Sequence, residues 1–247
     1  MVAHEGTSSG GEERVTRFLP AEVVGAFLLR GGMHDHSSRE PTVYLVEDEP
    51  ALRKLLLRVF ERAEIKAEAF ASAEEFLAAF DPEWPGCLLL DLSLPGMSGL
   101  QLQQKLRDVH ARLPVIFLTG SADVADATAG MRAGAFDLLE KPFEDGHLIS
   151  RVREALDLDR RQRAERALWR QINECVESLS VREREVLDLV VSGHANKEIA
   201  KMLDASPRTI EIHRGRAMHK MQAENLPELV RVMLLWQNGS SDPSSKI

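Results

Sequence analysis

Between residues 42 and 156, short apolar runs alternate five times with segments of helical periodicity. Runs such as TVYLVED, CLLLD and PVIFLTG are short and rich in Val, Leu and Ile, whereas the segments between them repeat apolar residues every three or four positions. The first pattern predicts strands and the second predicts helices. Because strands that alternate with helices form parallel sheets covered on both faces, the sequence predicts an α/β domain with a five-stranded parallel sheet.

A second, all-α pattern occupies residues 175–238. SLSVREREVLDLVVSG predicts a helix with Ser180 as its N-cap and Glu183 as the capping-box partner. Three more short helices follow, and the residues ASP make a tight turn between the second and the third. Ser206 caps the third helix, roughly 207–221, and Pro207 suits its first position. Two helices joined in this way predict a helix-turn-helix DNA-binding unit, with the motif itself at 196–215.

The two patterns divide the chain into domains. We predict an α/β domain at 41–156, a helical linker at 157–174 and the helix-turn-helix domain at 175–238. From His147 to Val176 the chain has no Pro or Gly, which favours one long helix. This helix either pairs with a copy of itself or is a solvated linker, and the sequence does not decide between the two. Residues 1–40 and 239–247 predict a disordered leader and a flexible tail.

Composition excludes several classes of protein. The two cysteines, Cys87 and Cys175, lie far apart in apolar settings, which argues against a disulfide scaffold or a zinc site and predicts a cytoplasmic protein. No apolar run approaches the roughly 18 residues of a membrane helix, so we expect no membrane partner. The net charge of −8 argues against nucleic acid. However, residues 206–220 carry a local excess of basic side chains, which is a better indicator than the whole-chain sum.

Charged and hydroxyl side chains follow four of the five predicted strands. Ligands of an open parallel sheet bind at the carboxyl ends of its strands. The residues at these ends, in strand order, are Glu47, Asp48, Asp91, Thr119 and Lys141. Taken singly, each acid is equally well explained as a helix cap. Only the convergence of all five residues on one edge favours a binding site.

The residue types at this edge predict phosphoryl chemistry. Crowded carboxylates repel one another, and Mg²⁺ with oxygen ligands offsets this repulsion. Lys141 pairs with the remaining charge, and the Thr119 hydroxyl can donate to an anion that is added later. Asp91 is then suited to attack a phosphoryl group, because a carboxylate is a covalent nucleophile for phosphate.

Several motifs in the correct order give the chain a family resemblance. VEDEP, LLLDLSLPGMSG, FLTG and EKPF resemble a response-regulator receiver domain of the CheY-like (flavodoxin-like) fold. SVREREVLDLVVSGHANKEIAKMLDASPRTIEIHRGRAMHKM resembles a LuxR-type helix-turn-helix domain. Together they cover nearly everything from Thr42 to Trp236. The chain is therefore similar to two-component response regulators of the NarL/FixJ family.

This resemblance implies roles for matching residues. Asp91 would accept a phosphoryl group from a sensor histidine kinase, and Thr119 and Lys141 would contact that group. The implied Mg²⁺ ligands are Glu47 (through water), Asp48, Asp91 and the Ser93 carbonyl.

Two positions depart from the family pattern. Glu47 stands where Asp is commoner, and its longer side chain should be tolerated. Leu138 stands where the family has a switch aromatic. Phe136 lies two residues earlier, and we expect it to face the same side of the strand as Leu138. The usual coupling between the threonine and an aromatic residue is therefore in doubt.

The third helix of the second domain predicts the DNA contacts. A helical stripe, Ile210, Ala217 and Met221, should face the core. The residues that should point toward DNA bases are Arg208, Glu211, Ile212, Arg214, Gly215 and His219. The expected phosphate contacts are Lys197, Lys201, Arg216 and Lys220. Glycine is unfavourable inside a helix, and close approach to DNA would explain Gly215.

The sequence thus predicts a transcriptional regulator and not an enzyme. Phosphorylation of Asp91 would alter dimerisation and binding to double-stranded promoter DNA, with a homodimer as the phosphorylated form and RNA polymerase as a candidate partner. One alternative is a receiver used as a protein-docking or phosphate-sink module without direct DNA binding. Another is a DNA binder that does not depend on phosphorylation, against which the complete acidic pocket argues.

Overall fold

The computed structural model describes residues 39–120 and 124–239, arranged in two compact units that divide between Ala167 and Leu168. The predicted leader, apart from its last two residues, and all but the first residue of the predicted tail lie outside the described residues. The predicted linker, 157–174, contains the division between the units.

The first unit is the predicted α/β domain. Its elements are β1 (Thr42–Val46), α1 (Pro50–Arg62), β2 (Ala67–Phe70), α2 (Ala73–Ala79), β3 (Gly86–Asp91), α3 (Gly99–Asp108), β4 (Val115–Thr119), α4 (Val124–Arg132), β5 (Asp137–Glu140) and the start of α5 (Asp145–Glu177). The strands pair in parallel in the order β2-β1-β3-β4-β5. The predicted fold class, a five-stranded parallel sheet, is confirmed.

Apolar side chains cover both faces of this sheet. Alternate residues of the central strands point to opposite faces, so that Leu90 and Phe117 join one buried cluster whereas Leu89 and Ile116 join the other. This two-sided burial explains why the central strands are continuous apolar runs. It also leaves the carboxyl ends of the strands as the edge where polar side chains collect.

One expectation about β5 is wrong. Leu138 packs against the same buried cluster as Phe117, whereas Phe136 packs against the opposite cluster, beside Leu139. The alternation rule fails here because the strand begins at Asp137, so Phe136 lies before it. The Arg151 guanidinium lies 5.2 Å from the centre of the Phe136 ring. Phe136 is therefore not a substitute for the missing switch aromatic.

The second unit is helical, as predicted. It contains the end of α5, then α6 (Val181–Val191), α7 (Asn196–Met202), α8 (Pro207–Lys220) and α9 (Leu226–Gly239). Ser180 and Glu183 form the predicted capping box, and the Ser206 hydroxyl accepts a bond from the backbone of Thr209 at the start of α8. The predicted stripe of α8 is completely buried: Ile210, Ala217 and Met221.

Helix α5 contributes side chains to each unit. In the first unit, the Asp159 carboxylate is 2% exposed and accepts a bond from the Gly86 amide at 2.8 Å. Arg163 donates to Asp159 at 2.9 Å and to the Glu83 carbonyl at 3.1 Å. In the second unit, Leu168 and Ile172 are part of the buried core.

Candidate functional sites

The first candidate site lies at the carboxyl edge of the sheet. The Lys141 ammonium, just after β5, lies 2.6 Å from the Asp91 carboxylate at the end of β3 and 2.8 Å from the Glu47 carboxylate that follows β1. The backbone amide of Ser93 donates to the second Asp91 oxygen at 2.9 Å. The parallel register therefore brings together residues that are up to 94 positions apart in the chain.

Burial and charge set the electrostatics of this edge. Glu47 is 1% exposed and Asp91 6% exposed. Burial is the largest influence on Glu47 and raises its pKa, the Asp91 charge acts in the same direction, and Lys141 opposes both. Burial alone would lower the pKa of Lys141, but its hydrogen bonds to the two carboxylates outweigh this effect and raise it. Lys141 therefore remains a cation at neutral pH.

The carboxylates at this edge fit a hard divalent cation. One oxygen each from Glu47, Asp48 and Asp91 lies within 4.8 Å of the others, and Asp48 is exposed. Oxygen ligands of this kind are what Mg²⁺ prefers, and an exposed side leaves room for the waters that it retains. The sequence-predicted carboxylates are thus brought together as expected.

Thr119 lies beside this group at the end of β4. It follows Leu118, the register partner of Asp91, and is almost completely buried. Its hydroxyl donates to the Gly120 carbonyl at 3.0 Å, and its own carbonyl accepts from the Lys141 amide at 2.7 Å. Thr119 is therefore placed next to the acidic group, with its hydroxyl directed to its own loop.

Sequence reasoning missed two residues that shape this edge. Arg53 on α1 donates to the carbonyls of Glu47 and Asp48, at 2.7 and 3.2 Å, and so fixes the loop that carries two of the acids. Gly99 begins α3, and a Cβ atom there would come within 2.4 Å of the Asp91 carbonyl. The position of Gly99 soon after the apolar strand was a usable signal, but nothing in the sequence pairs Arg53 with backbone carbonyls.

The second candidate site is the outward face of α7 and α8. Most of the predicted base-directed residues are exposed there: Arg208, Glu211, Ile212, Gly215 and His219. Three predicted phosphate contacts are exposed as well: Lys197, Lys201 and Arg216. Arg214 is half-buried, and its guanidinium donates to the Asn196 side-chain carbonyl at 3.2 Å.

Lys220 differs from the other predicted phosphate contacts. Its ammonium donates to the Glu183 carboxylate at 2.7 Å and to the Ser178 carbonyl at 2.9 Å. Glu183 is only 4% exposed. The bonds from Lys220 and from the Ser180 backbone lower the pKa of Glu183 to about 2. These contacts give Lys220 a role within the fold, joining the end of α8 to the start of α6.

Gly215 has no packing reason to be glycine. A Cβ atom built there would have no atom within 4 Å from any other part of the described structure beyond its own helix backbone and chain neighbours, in contrast to Gly99. The backbone of α8 is an ordinary helix at this position.

The fold and these two sites define a class of protein, a response regulator with a DNA-binding domain. Residues 43–153 match the family model described as the response regulator receiver domain. Residues 177–233 match the model described as bacterial regulatory proteins of the luxR family. The two matches are separate and fall in the two units seen in the structure.

Full-length relatives specify the family. Nodulation protein W of Bradyrhizobium diazoefficiens is 37% identical over 85% of this chain and 93% of its own. The transcriptional regulatory protein FixJ of Rhizobium meliloti is 41% identical over 81% of this chain and 98% of its own. The chain belongs to the FixJ family of LuxR-type two-component response regulators. It is therefore a phosphorylation-controlled DNA-binding transcriptional regulator and not an enzyme.

Solved structures agree with this assignment. The structure of the response regulator StyR matches with a TM-score of 0.76 and 34% identity, covering 80% of this chain and 100% of that one. Full-length FixJ from B. japonicum matches with a TM-score of 0.50 and 34% identity, covering 81% and 99%. Within the described ranges, none of the helices has both the length and the apolar character to cross a membrane.

Proposed function

We propose that Asp91 is the phosphoacceptor of this regulator. The observation that carries the proposal is the position of its carboxylate, 2.6 Å from the Lys141 ammonium and within the group of three acidic oxygens. An Asp91 oxygen attacks the phosphorus of a phosphohistidine on the sensor kinase, the P–N bond breaks, and an acyl phosphate forms. The nitrogen that is released keeps the electron pair of the broken bond.

Each neighbouring side chain has a part in this transfer. Asp48, Asp91, the Ser93 carbonyl and, through water, Glu47 would hold Mg²⁺, which would supply positive charge against the transferred group. Lys141 exchanges its bond to the Asp91 carboxylate for one to the new phosphoryl oxygens. The Thr119 hydroxyl turns from the Gly120 carbonyl to the same oxygens. This turn links the chemistry to a rearrangement of the protein.

The output of the switch is DNA binding by the second unit. Phosphorylation favours a homodimer, and α8 of each subunit enters the major groove of promoter DNA. Arg208, Glu211, Ile212, Arg214 and His219 read bases, whereas Lys197, Lys201 and Arg216 bind phosphates. We withdraw Lys220 from the phosphate contacts because Glu183 already neutralises it. Such a protein acts in the cytoplasm, with RNA polymerase as its downstream partner.

Phosphorylation is tested by mass spectrometry of the full chain with acetyl phosphate, with and without Mg²⁺. We expect one added phosphoryl group that requires Mg²⁺ and is absent in Asp91→Asn. Glu140→Gln is the matched control, because Glu140 is an exposed carboxylate at the end of β5 on the same edge. Modification of Asp91→Asn to the wild-type extent would refute the assignment of the site.

Control of DNA binding is tested with beryllofluoride in place of the phosphoryl group. Dimerisation and affinity for duplex DNA should both rise in the wild type and stay constant in Asp91→Asn. The affinity should fall with salt, with a log–log slope of about −0.9 per phosphate neutralised. Binding without a salt slope would favour the alternative, a receiver that serves as a docking module.

A further inference from the structure

The Arg214 side chain is held by a residue that sequence reasoning did not connect with DNA. Asn196 is the first residue of α7, and its side-chain carbonyl accepts a bond from the Arg214 Nη1 at 3.2 Å, across 18 positions of the chain. Asn196 has no capping task that would compete for this oxygen. The N-cap is Ala195, and its amide is satisfied by the Glu198 carboxylate at 2.9 Å.

The chemical nature of this partner is informative. Lys220 and Arg182 of the same unit pair with carboxylates, which neutralise them. Among the described residues, Arg214 has no carboxylate partner, and its bond goes to a neutral amide. The bond therefore orients the guanidinium without a neighbouring negative charge that would neutralise it. Only one of its five N–H donors is used by this bond, and the edge formed by Nε and Nη2 is left intact.

That edge has a specific use in DNA recognition. Two parallel donors of one arginine pair with O6 and N7 of guanine in the major groove. A free arginine on a protein surface samples many rotamers, and ordering it on binding costs affinity. A guanidinium that is already fixed in the free protein avoids this cost. The half-buried position of Arg214 on α8 agrees with a side chain that is partly fixed before DNA arrives.

We infer that Asn196 is a positioning residue for sequence recognition: it holds Arg214 in its base-reading orientation and thereby sets DNA sequence preference without touching a base. The inference rests on the proposed DNA-binding function of α8. The competing explanation is that the bond only ties α7 to α8. A tie would affect stability and all DNA binding alike, whereas positioning affects the preferred sequence alone.

The test uses full-length protein activated with beryllofluoride and two duplexes. One duplex is selected by the wild type from a random pool, and the other is a scrambled version of it. Asn196→Ala should weaken binding to the selected duplex by roughly three- to tenfold per half-site, the cost of ordering one long side chain. Binding to the scrambled duplex should change by less than about twofold, because phosphate contacts supply it.

Three further variants make the result specific. In an Arg214→Ala background, Asn196→Ala should have no additional effect on preference. Asn196→Asp keeps an acceptor that orients Arg214 and should therefore retain the preferred sequence, but its carboxylate neutralises Arg214 and repels phosphates, so affinity for both duplexes should fall. Asn173→Ala is the matched control, since the Asn173 side chain also accepts a bond from another helix, from Trp236 at 2.9 Å. It should leave preference unchanged.

Each outcome gives a decision. The positioning role would be overturned if Asn196→Ala weakened binding to both duplexes equally. It would also be overturned if Asn196→Ala lowered preference as much in the Arg214→Ala background as in the wild type. In either case the bond would only tie α7 to α8. If Arg214→Ala itself keeps the wild-type preference, the proposed base contact is wrong, and the inference fails with it. If the wild type selects no sequence, the DNA-binding function of α8 fails as a whole.

Discussion

Replacing Gly215 by alanine should make α8 more stable and its complex with DNA weaker. Glycine inside a helix costs about 1 kcal/mol relative to alanine. The added Cβ atom meets nothing within 4 Å, and position 215 is exposed in the interior of α8, so no packing penalty offsets this gain. We therefore expect the full 1 kcal/mol or so to appear as added helix stability.

Hydrogen exchange of the full chain measures this gain where it arises. A change of about 1 kcal/mol corresponds to roughly fivefold slower exchange of amides in α8 that open locally. Affinity for the selected duplex should fall at least severalfold, because the methyl group occupies space on the face that carries the base-directed side chains. The two effects have opposite signs, so general damage to the protein cannot produce both.

Gly146→Ala is the matched control. Gly146 is also an exposed helical glycine with nothing within 4 Å of a Cβ atom, but it lies at the start of α5 in the first unit. It should leave DNA affinity unchanged. Slower exchange with wild-type DNA affinity in Gly215→Ala would show that the glycine does not serve close approach. Faster exchange in α8 would refute the helix-propensity argument itself.

Two stability predictions concern the buried acids. Asp159→Ala leaves the Gly86 amide without its hydrogen-bond acceptor. This substitution should therefore lower the free energy of unfolding of the first unit by roughly 2–4 kcal/mol, measured in urea by Trp84 fluorescence. Asp157→Ala, which removes an exposed ion pair, should cost less than about 0.5 kcal/mol, and equal effects of the two would contradict this reasoning. Glu183, with a pKa of about 2, stabilises the second unit above its ordinary pKa near 4.3, and this contribution is lost as the pH falls from there toward 2. Glu183→Gln should therefore cost roughly 1–2 kcal/mol at pH 7 and almost nothing at pH 2, measured by hydrogen exchange in α6 and α8, whereas a constant difference across this range would refute the assignment.

The sequence predicted the acidic edge because parallel topology determines it. Once strands alternate with helices, the carboxyl ends of the strands must lie along one edge, and the residues after them must meet there. Helical periodicity predicted the buried stripe of α8 for a similar reason, since the spacing alone decides which side chains share a face. In both cases local pattern determines position, and no knowledge of distant contacts is needed.

The predictions that failed or were missed depend on boundaries and on distant partners. The side of Phe136 was predicted wrongly because β5 begins at Asp137, so that Phe136 lies before the strand and outside its alternation. The bonds from Gly86 to Asp159 and from Lys220 to Glu183 join residues 73 and 37 positions apart, and no local signal encodes such pairs. The local excess of basic residues indicated a DNA-binding stretch on α8, but it did not show that Lys220 pairs with Glu183.

The balance of charge around a lysine separates a structural role from a functional one in this protein. Lys220 pairs with one buried carboxylate, and the pair is neutral, which is the arrangement expected of a contact that only stabilises a fold. Lys141 instead pairs with two carboxylates, Glu47 and Asp91, and the Asp48 carboxylate lies beside them. Burial raises the pKa of Glu47, and the neighbouring Asp91 charge acts in the same direction. This gathering of carboxylates agrees with the Mg²⁺ and phosphoryl site proposed for the edge of the sheet.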